Sequence, residues 1–405
     1  MVLSQPAKVW DAMTYRASVV HTIAGLRDQD GGVARSVPGL CEALARQGCR
    51  IALITQRPMG TNQASLLTPD PKLVDVRFAR SVGWEHPRLS FAPGLVRKLS
   101  TMCAEIAPAI LHDHGVWLHM NHAAAVTARR LGLRRVVSPR GMLDGWAMSY
   151  HSWKKRLAWH AYQERDLRSA NAFCATSKLE AEAIRNLGLA QPIAIIPNGV
   201  DVPTFEERRP RSVDRVVLFL SRLHEKKGVL DLIAAWASAP RPGWRLVIAG
   251  PDEGGYRRVL EDAVARAGVM TSVTFAGAVA GQAKHALLRD AEVFVLPSYS
   301  ENFGIVVAEA LAYGVPVITT HATPWEELSD HNCGWWIPTG TEALKGALML
   351  AMALSSEERR SMGQRGAALI AERYSWPSIA LKHISFYAWL TGASPPPSFV
   401  LTGDS

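Results

Sequence analysis

Two carboxylates eight positions apart, Glu301 and Glu309, stand in the run PSYSENFGIVVAEALAYGVPVIT. The run reads as a buried strand over 293–296, a polar loop, a helix that stops at Gly314, and a further strand over 315–319. A glycine-containing loop that opens a helix presents unpaired backbone N–H groups and the positive end of the helix dipole, which suits a diphosphate. One carboxylate falls in the loop and the other inside the helix. Both lie near the end of a strand, where α/β folds place their ligands. Carboxylates accept the hydrogen bonds that ribose and sugar hydroxyls donate, so the chemistry suggested is recognition of a nucleotide sugar.

A cationic counterpart lies in FLSRLHEKKGVLDLIAAW, where a strand ends at Ser221-Arg222 and a helix begins near Gly228. Arg222 and Lys227 then project at the carboxyl end of a strand, with Lys226 as the competitor for Lys227. Charge-assisted hydrogen bonds of roughly 1.5–3 kcal/mol each would hold a diphosphate there. The same cations would stabilise negative charge on a departing nucleoside diphosphate. In VVHTIAGLRDQDGGVARS, Gly31 and Gly32 separate a strand from a helix, and adjacent glycines allow positive φ and close backbone approach. The run ILHDHGVW sends His112 and His114 to one face of a strand and Asp113 to the other. This His-x-His pair raises a metal reading, but no third or fourth ligand stands at a sensible spacing, so none is expected. SPRGMLD brings Arg140 and Gly141 to another strand end. Ser177, Lys178, Asn198 and Asp201 could contact ligand, although turn chemistry explains Asn198-Gly199 equally well.

The elements that must position these residues alternate throughout. Strand-like runs cover 18–23, 50–55, 109–112, 135–138, 172–175 and 193–196, then 215–220, 245–249, 273–275, 293–296 and 315–319, with helix-like stretches between. This is the pattern of parallel sheets with crossover helices. The segment DVPTFEERRPRSVDR, residues 201–215, is rich in Pro and charge and reads as a linker between two domains. The expected division is 1–205 and 206–373. The tail from Thr391, TGASPPPSFVLTGDS, reads as flexible.

Composition narrows the classes. A chain of 405 residues suits two domains of ordinary size, and 48% hydrophobic with 20% charged residues describes a soluble globular protein. The beginning shows no signal peptide, and no apolar run is long enough to span a bilayer. Five scattered cysteines, Cys41, Cys49, Cys103, Cys174 and Cys333, point to reduced thiols in the cytoplasm. A net charge of +9 favours polyanions, but no nucleic-acid-binding signature accompanies it. The stretch GWAMSYHSWKKRLAWHAYQERDLRSA mixes Trp146, Trp153 and Trp159 with Lys154, Lys155, Arg156, Arg165 and Arg168. Tryptophan with cations suits a membrane headgroup region; a long helix packing its aromatic face on the domain is the plainer reading.

Glu301, Phe303-Gly304, Glu309 and Gly314-Val315-Pro316-Val317 closely resemble the signature of the retaining family 4 glycosyltransferases. The resemblance is most specific between Ser221 and Thr320 and covers most of the chain. It implies the α/β GT-B fold, two Rossmann-like domains facing each other across a cleft, with a C-terminal helix (374–391) packing back on the first domain. It implies a metal-independent hexosyltransferase that needs no cofactor besides a UDP- or GDP-sugar donor. By resemblance, Glu309 takes the ribose hydroxyls and Glu301 the transferred sugar, while Arg222 and Lys227 hold the diphosphate. Asn302, Phe303, Gly304 and Ile305 lend sugar and phosphate contacts. Gly250, after a strand in IAGPDEGGY, and Ala278, in VTFAGAV, hold the base. Gly31 and Gly32 meet phosphates or acceptor, and His114 orients the sugar. The acceptor implied is a saccharide, free or lipid-linked, in polysaccharide or lipopolysaccharide synthesis at the cytoplasmic face of an inner membrane. A transferase for a small soluble acceptor, a non-catalytic nucleotide-sugar binder and a phosphorylase are the competing readings.

Overall fold

The computed structural model describes residues 15–27, 30–58, 66–81, 92–144, 156–204, 215–239 and 242–403. The chain forms two compact units, one of Met1–Gly199 with Trp376–Ser405 and one of Val200–Ser375. The division falls at Gly199/Val200 rather than at 205/206. Val200 is buried, donates its N–H to Tyr374 O at 2.9 Å, and bridges Ser375.

In the first unit the elements follow as β1 (Ser18–Ile23), α1 (Gly32–Arg46), β2 (Arg50–Pro58), β3 (Asp75–Ser81), α2 (Leu95–Ile106), β4 (Ile110–His114), α3 (His119–Leu131) and β5 (Arg134–Ser138). A π-helical turn, Trp159–Gln163, leads into α4 (Glu164–Arg168), then β6 (Ala172–Ala175), α5 (Lys178–Asn186) and β7 (Ile193–Ile195). The second unit continues with β8 (Arg215–Leu220), α6 (Val229–Ala237), β9 (Trp244–Ala249), α7 (Tyr256–Arg266), β10 (Val273–Gly277), α8 (Gly281–Asp290), β11 (Val293–Leu296) and α9 (Ile305–Ala312). It ends with β12 (Val317–Thr320), α10 (Glu327–Asp330), β13 (Gly334–Ile337), α11 (Thr341–Ala353) and α12 (Ser356–Arg373). The chain then returns to the first unit as α13 (Trp376–Leu390) and β14 (Val400–Leu401).

The first sheet runs β14-β7-β6-β5-β4-β1-β2-β3 and the second β10-β9-β8-β11-β12-β13. Every pairing is parallel except β14 with β7. Both sheets therefore carry the doubly wound order 3-2-1-4-5-6, which reverses between β1 and β4 and again between β8 and β11. Ligands of such sheets bind beyond the strand carboxyl ends at that reversal. The sequence explains the sheets simply: strands such as VVLFL and VFVL are continuous apolar runs, as strands covered on both faces must be. Helix α1 repeats Val37, Leu40, Cys41 and Leu44 on one buried stripe. Helix α13 lies against α1, its buried side including Ile379, His383, Ile384 and Tyr387.

Three strands escaped sequence reading: β3, β13 and β14. The tail read as flexible contains β14, which joins the edge of the first sheet. Ile195 N donates to Phe399 O at 2.9 Å, and Val400 and Leu401 pair with Ala194 and Ile193. The edge strand β7 offers unpaired backbone groups, and burial of Val400 adds apolar contact, which together order a segment rich in Pro.

The second unit also contains a buried ion pair, Arg359 Nε to Glu292 Oε2 at 3.0 Å, each side chain 1% exposed. It joins α12 to the residue before β11. Arg359→Ala is expected to destabilise the unit by about 3–5 kcal/mol, because the Glu292 carboxylate stays buried without its cation. The double change Arg359→Met with Glu292→Leu should recover most of that loss in urea denaturation. A single variant as stable as the wild type would refute the assignment.

Candidate functional site

At the reversal of the second sheet, the loops after β8 and β11 bring the sequence-singled charges together. Lys227, within a 3₁₀ turn (Glu225–Lys227), is buried and pairs with Glu301 Oε1, which also accepts from Ser298 Oγ at 2.8 Å. Burial thus separates Lys227 from Lys226, which is only partly buried. Arg222 points outward, 57% exposed, and meets Glu253 at 2.8 Å. An exposed pair of this kind is worth little, so the guanidinium is available to a stronger anion.

Glu309 lies inside α9, where Lys284 of α8 donates to its Oε1 at 2.6 Å; its Oε2 is buried and has no partner among the described residues. Lys284 is a residue that sequence reasoning missed. It stands 25 positions away in GQAKHALL with no local signal of a role. The N-cap of α9 is Gly304 at φ 73°, with no side chain capping the first turn. Trp325 Nε1 fixes the preceding loop by donating to Phe303 O at 2.6 Å. Asn302 and Ile305 flank Phe303 and Gly304 and are partly buried. Gly250, at φ 145°, donates to Gly277 O at 2.7 Å, and a Cβ there would lie 1.8 Å from Ser221 O. Only glycine lets this turn close under the loop that carries Arg222. Ala278 is exposed just beyond β10.

In the first unit the reversal gathers histidines. His21 from β1 joins His112 and His114 from β4, all buried, with ring nitrogens within 4.8 Å of one another. The spacing argument lacked a third histidine because His21 lies 93 residues from His114; the parallel register of β1 and β4 supplies it. His112 Nδ1 bonds the Tyr387 hydroxyl at 2.6 Å and its Nε2 the Ser138 hydroxyl at 2.8 Å. His114 Nε2 lies 3.0 Å from His21 Nδ1, and Arg140 donates to His114 Nδ1 at 3.2 Å. That guanidinium is a fixed positive charge against the cluster and opposes a metal cation. Burial pushes the His21 imidazole down to about 3 and holds His112, His114 and His383 well below the usual range, with Arg140 adding to each shift.

Asp113 faces the other side, accepting from Thr22, Asn121 and Arg135. Gly31 caps α1 at φ 85° without a side-chain bond, and a Cβ on Gly31 or Gly32 would meet nothing within 4 Å. Asn198 Oδ1 accepts from Arg140 at 2.5 Å, and Ser177 caps α5. Trp146, Trp153, Lys154 and Lys155 lie outside the described residues; Trp159 is partly buried at 6.2 Å from the Trp117 ring. No helix among the described residues is long and apolar enough to cross a membrane.

Two doubly wound α/β units in one chain, the second with paired acids and cations at its strand reversal, define the GT-B architecture. The solved sucrose-phosphate synthase of Thermosynechococcus elongatus superposes on 94% of this chain and 100% of its own, with TM-score 0.70 and 22% identity. Residues 203–368 match the family model for glycosyl transferases group 1, and residues 31–199 match the glycosyl transferase 4-like domain. The chain belongs to the group 1 glycosyltransferases of family 4 type. Among its relatives, GDP-mannose:cellobiosyl-diphosphopolyprenol alpha-mannosyltransferase of Xanthomonas campestris is 26% identical over 91% of this chain and 96% of its own. Glycogen synthase of Mycobacterium tuberculosis is 29% identical over 72% and 74% respectively.

Proposed function

We propose that the chain is a retaining, metal-independent hexosyltransferase using a UDP- or GDP-sugar, with no cofactor besides that donor. The observation that carries this reading is Glu309, whose Oε1 is neutralised by Lys284 while its buried Oε2 has no partner. A ribose hydroxyl supplies the missing donor, and the bond from Lys284 orients the carboxylate to receive it. Arg222 and Lys227 hold the diphosphate, with the backbone N–H groups of the Gly304 turn and the residues Asn302, Phe303 and Ile305 beside them. Lys227 then exchanges Glu301 for phosphate, which frees the carboxylate for hydroxyls of the transferred sugar. Backbone at Gly250 and Ala278 reads the base.

Retention follows if the acceptor hydroxyl attacks the face from which the phosphate departs. The leaving oxygen, stabilised by Arg222 and Lys227, then takes the hydroxyl proton. The first unit receives the acceptor, with Gly31, Gly32 and His114 as its contacts. The Xanthomonas relative, a GDP-mannose:cellobiosyl-diphosphopolyprenol alpha-mannosyltransferase, supports a lipid-linked saccharide acceptor in polysaccharide synthesis, reached at a cytoplasmic membrane surface by peripheral contact. Absence of co-sedimentation with anionic liposomes would count against that contact.

Thermal shift with UDP, GDP, ADP and their sugar conjugates tests the donor site. A nucleotide at about 100 times its Kd stabilises by about 2.7 kcal/mol. A shift for one base, absent in Glu309→Ala and Arg222→Ala, is expected. No shift with any nucleotide would overturn the reading.

A further inference from the structure

Arg140 differs from the two buried arginines, Arg135 and Arg359. Arg135 pairs with Asp113 and Arg359 with Glu292, whereas no carboxylate of the described residues pairs with Arg140. Among the described residues its partly buried guanidinium donates only to neutral groups, Asn198 Oδ1 at 2.5 Å and His114 Nδ1 at 3.2 Å, and its buried Nε has no partner. The carboxylate that acts on it through space, Glu180, is engaged elsewhere. Glu180 Oε1 accepts from Gly141 N at 2.6 Å, and Oε2 from Thr176 N and Oγ1 at 2.7 and 2.9 Å. A cation withdrawn from water without an anion is unfavourable, and a guanidinium fork matches phosphate oxygens. The backbone points the same way. Arg140 sits at φ 58°, a left-handed conformation costly for a residue with a Cβ and found preferentially at ligand clamps.

The bond to His114 has a chemical consequence. A guanidinium only donates, so His114 Nδ1 is the acceptor and the ring proton sits on Nε2. That N–H donates to His21 Nδ1, which places the proton of His21 on its own Nε2, a buried atom without a partner. The tautomers follow from the hydrogen-bond network. Both nitrogens of His114 are thus occupied for as long as Arg140 holds it.

We propose that Arg140 is a phosphate-reading residue of the first unit. It takes an oxyanion of a phosphate-bearing acceptor and in doing so releases His114 Nδ1 to accept from a substrate hydroxyl. This rests on the transferase reading above, and the test separates the two. Phenyl phosphate, a phosphate ester without a nucleoside, and the stabilising nucleotide are titrated in thermal shift against wild type, Arg140→Gln and Arg222→Ala. Phenyl phosphate is expected to stabilise wild type and Arg222→Ala, with the response weakened by about tenfold or more in Arg140→Gln. The nucleotide should stabilise wild type and Arg140→Gln, which also reports that this variant folds.

Imidazole ¹⁵N spectra of the wild type give a second measurement that needs no variant. Free protein should show the Nε2–H tautomer of His114, and phenyl phosphate should move its Nδ1 resonance. An undiminished phenyl phosphate response in Arg140→Gln, no response in wild type, or an unmoved Nδ1 resonance would each overturn the proposal. Failure of every nucleotide to bind would instead overturn the donor reading while the phosphate arm still reports on Arg140.

Discussion

Lys227→Ala is expected to lower sugar transfer by about 10²–10³-fold, the effect of removing one preorganised charge from a developing oxyanion. Lys227 is 9% exposed, and its ammonium is held in place by Glu301 before any ligand arrives. It therefore needs little reorganisation to meet the leaving phosphate, unlike the outward-pointing Arg222. The two cations should separate by experiment. Arg222→Ala removes an exposed pair with Glu253 and should change stability by no more than about 0.5 kcal/mol while weakening nucleotide binding. Among the described residues, Lys227→Ala leaves the Glu301 carboxylate with only the Ser298 hydroxyl and should lower stability as well as rate. Initial rates per folded molecule, measured with the donor that stabilises the protein, decide the matter. A Lys227→Ala enzyme within a factor of about three of wild type, well short of that effect, would remove Lys227 from the phosphate site.

Acid is expected to destabilise the first unit well before its carboxylates titrate. His21, His112, His114 and His383 are neutral in the fold, with protonation held far below the ordinary 6.5. In the unfolded chain they take up protons near 6.5, so below that pH the unfolded state binds more protons than the folded one. Stability is then full above pH 6.5 and falls as pH falls, continuing toward the value of about 3 held by His21. At pH 5.5 each histidine removes up to about 1.4 kcal/mol, and four together up to about 6 kcal/mol. Hydrogen exchange at pH 7.5, 6.5 and 5.5 should show protection in β1, β4 and α13 falling faster than in β8 and β11. His383→Phe should flatten that slope by about a quarter, one histidine of the four. Equal loss in both units would refute the cluster as its origin.

Much of the second unit was legible in the chain. Glu301, Gly304, Glu309, Arg222 and Lys227 lie within strand–loop–helix segments, and a loop that opens a helix imposes its geometry over a few residues. Continuous apolar runs marked β8 and β11 for the same reason. The strands that escaped lacked that signal. DVRFARS in β3 is charged and half-exposed, GWWI in β13 is four partly buried residues, and β14 is two. Their pairing depends on neighbouring strands, which no local pattern encodes.

What the amino-acid order determined by itself was the alternation of strands and helices, the family motif, and which side chains carry charge at strand ends. Tertiary structure alone decided their partners. Lys284 reaches Glu309 from another helix, His21 reaches His114 through sheet register, and Arg140 has only neutral partners because Glu180 is held by backbone N–H groups. Whether a charge is balanced or left open depends on atoms brought close by folding across tens of residues, and separation along the chain carries no trace of that distance.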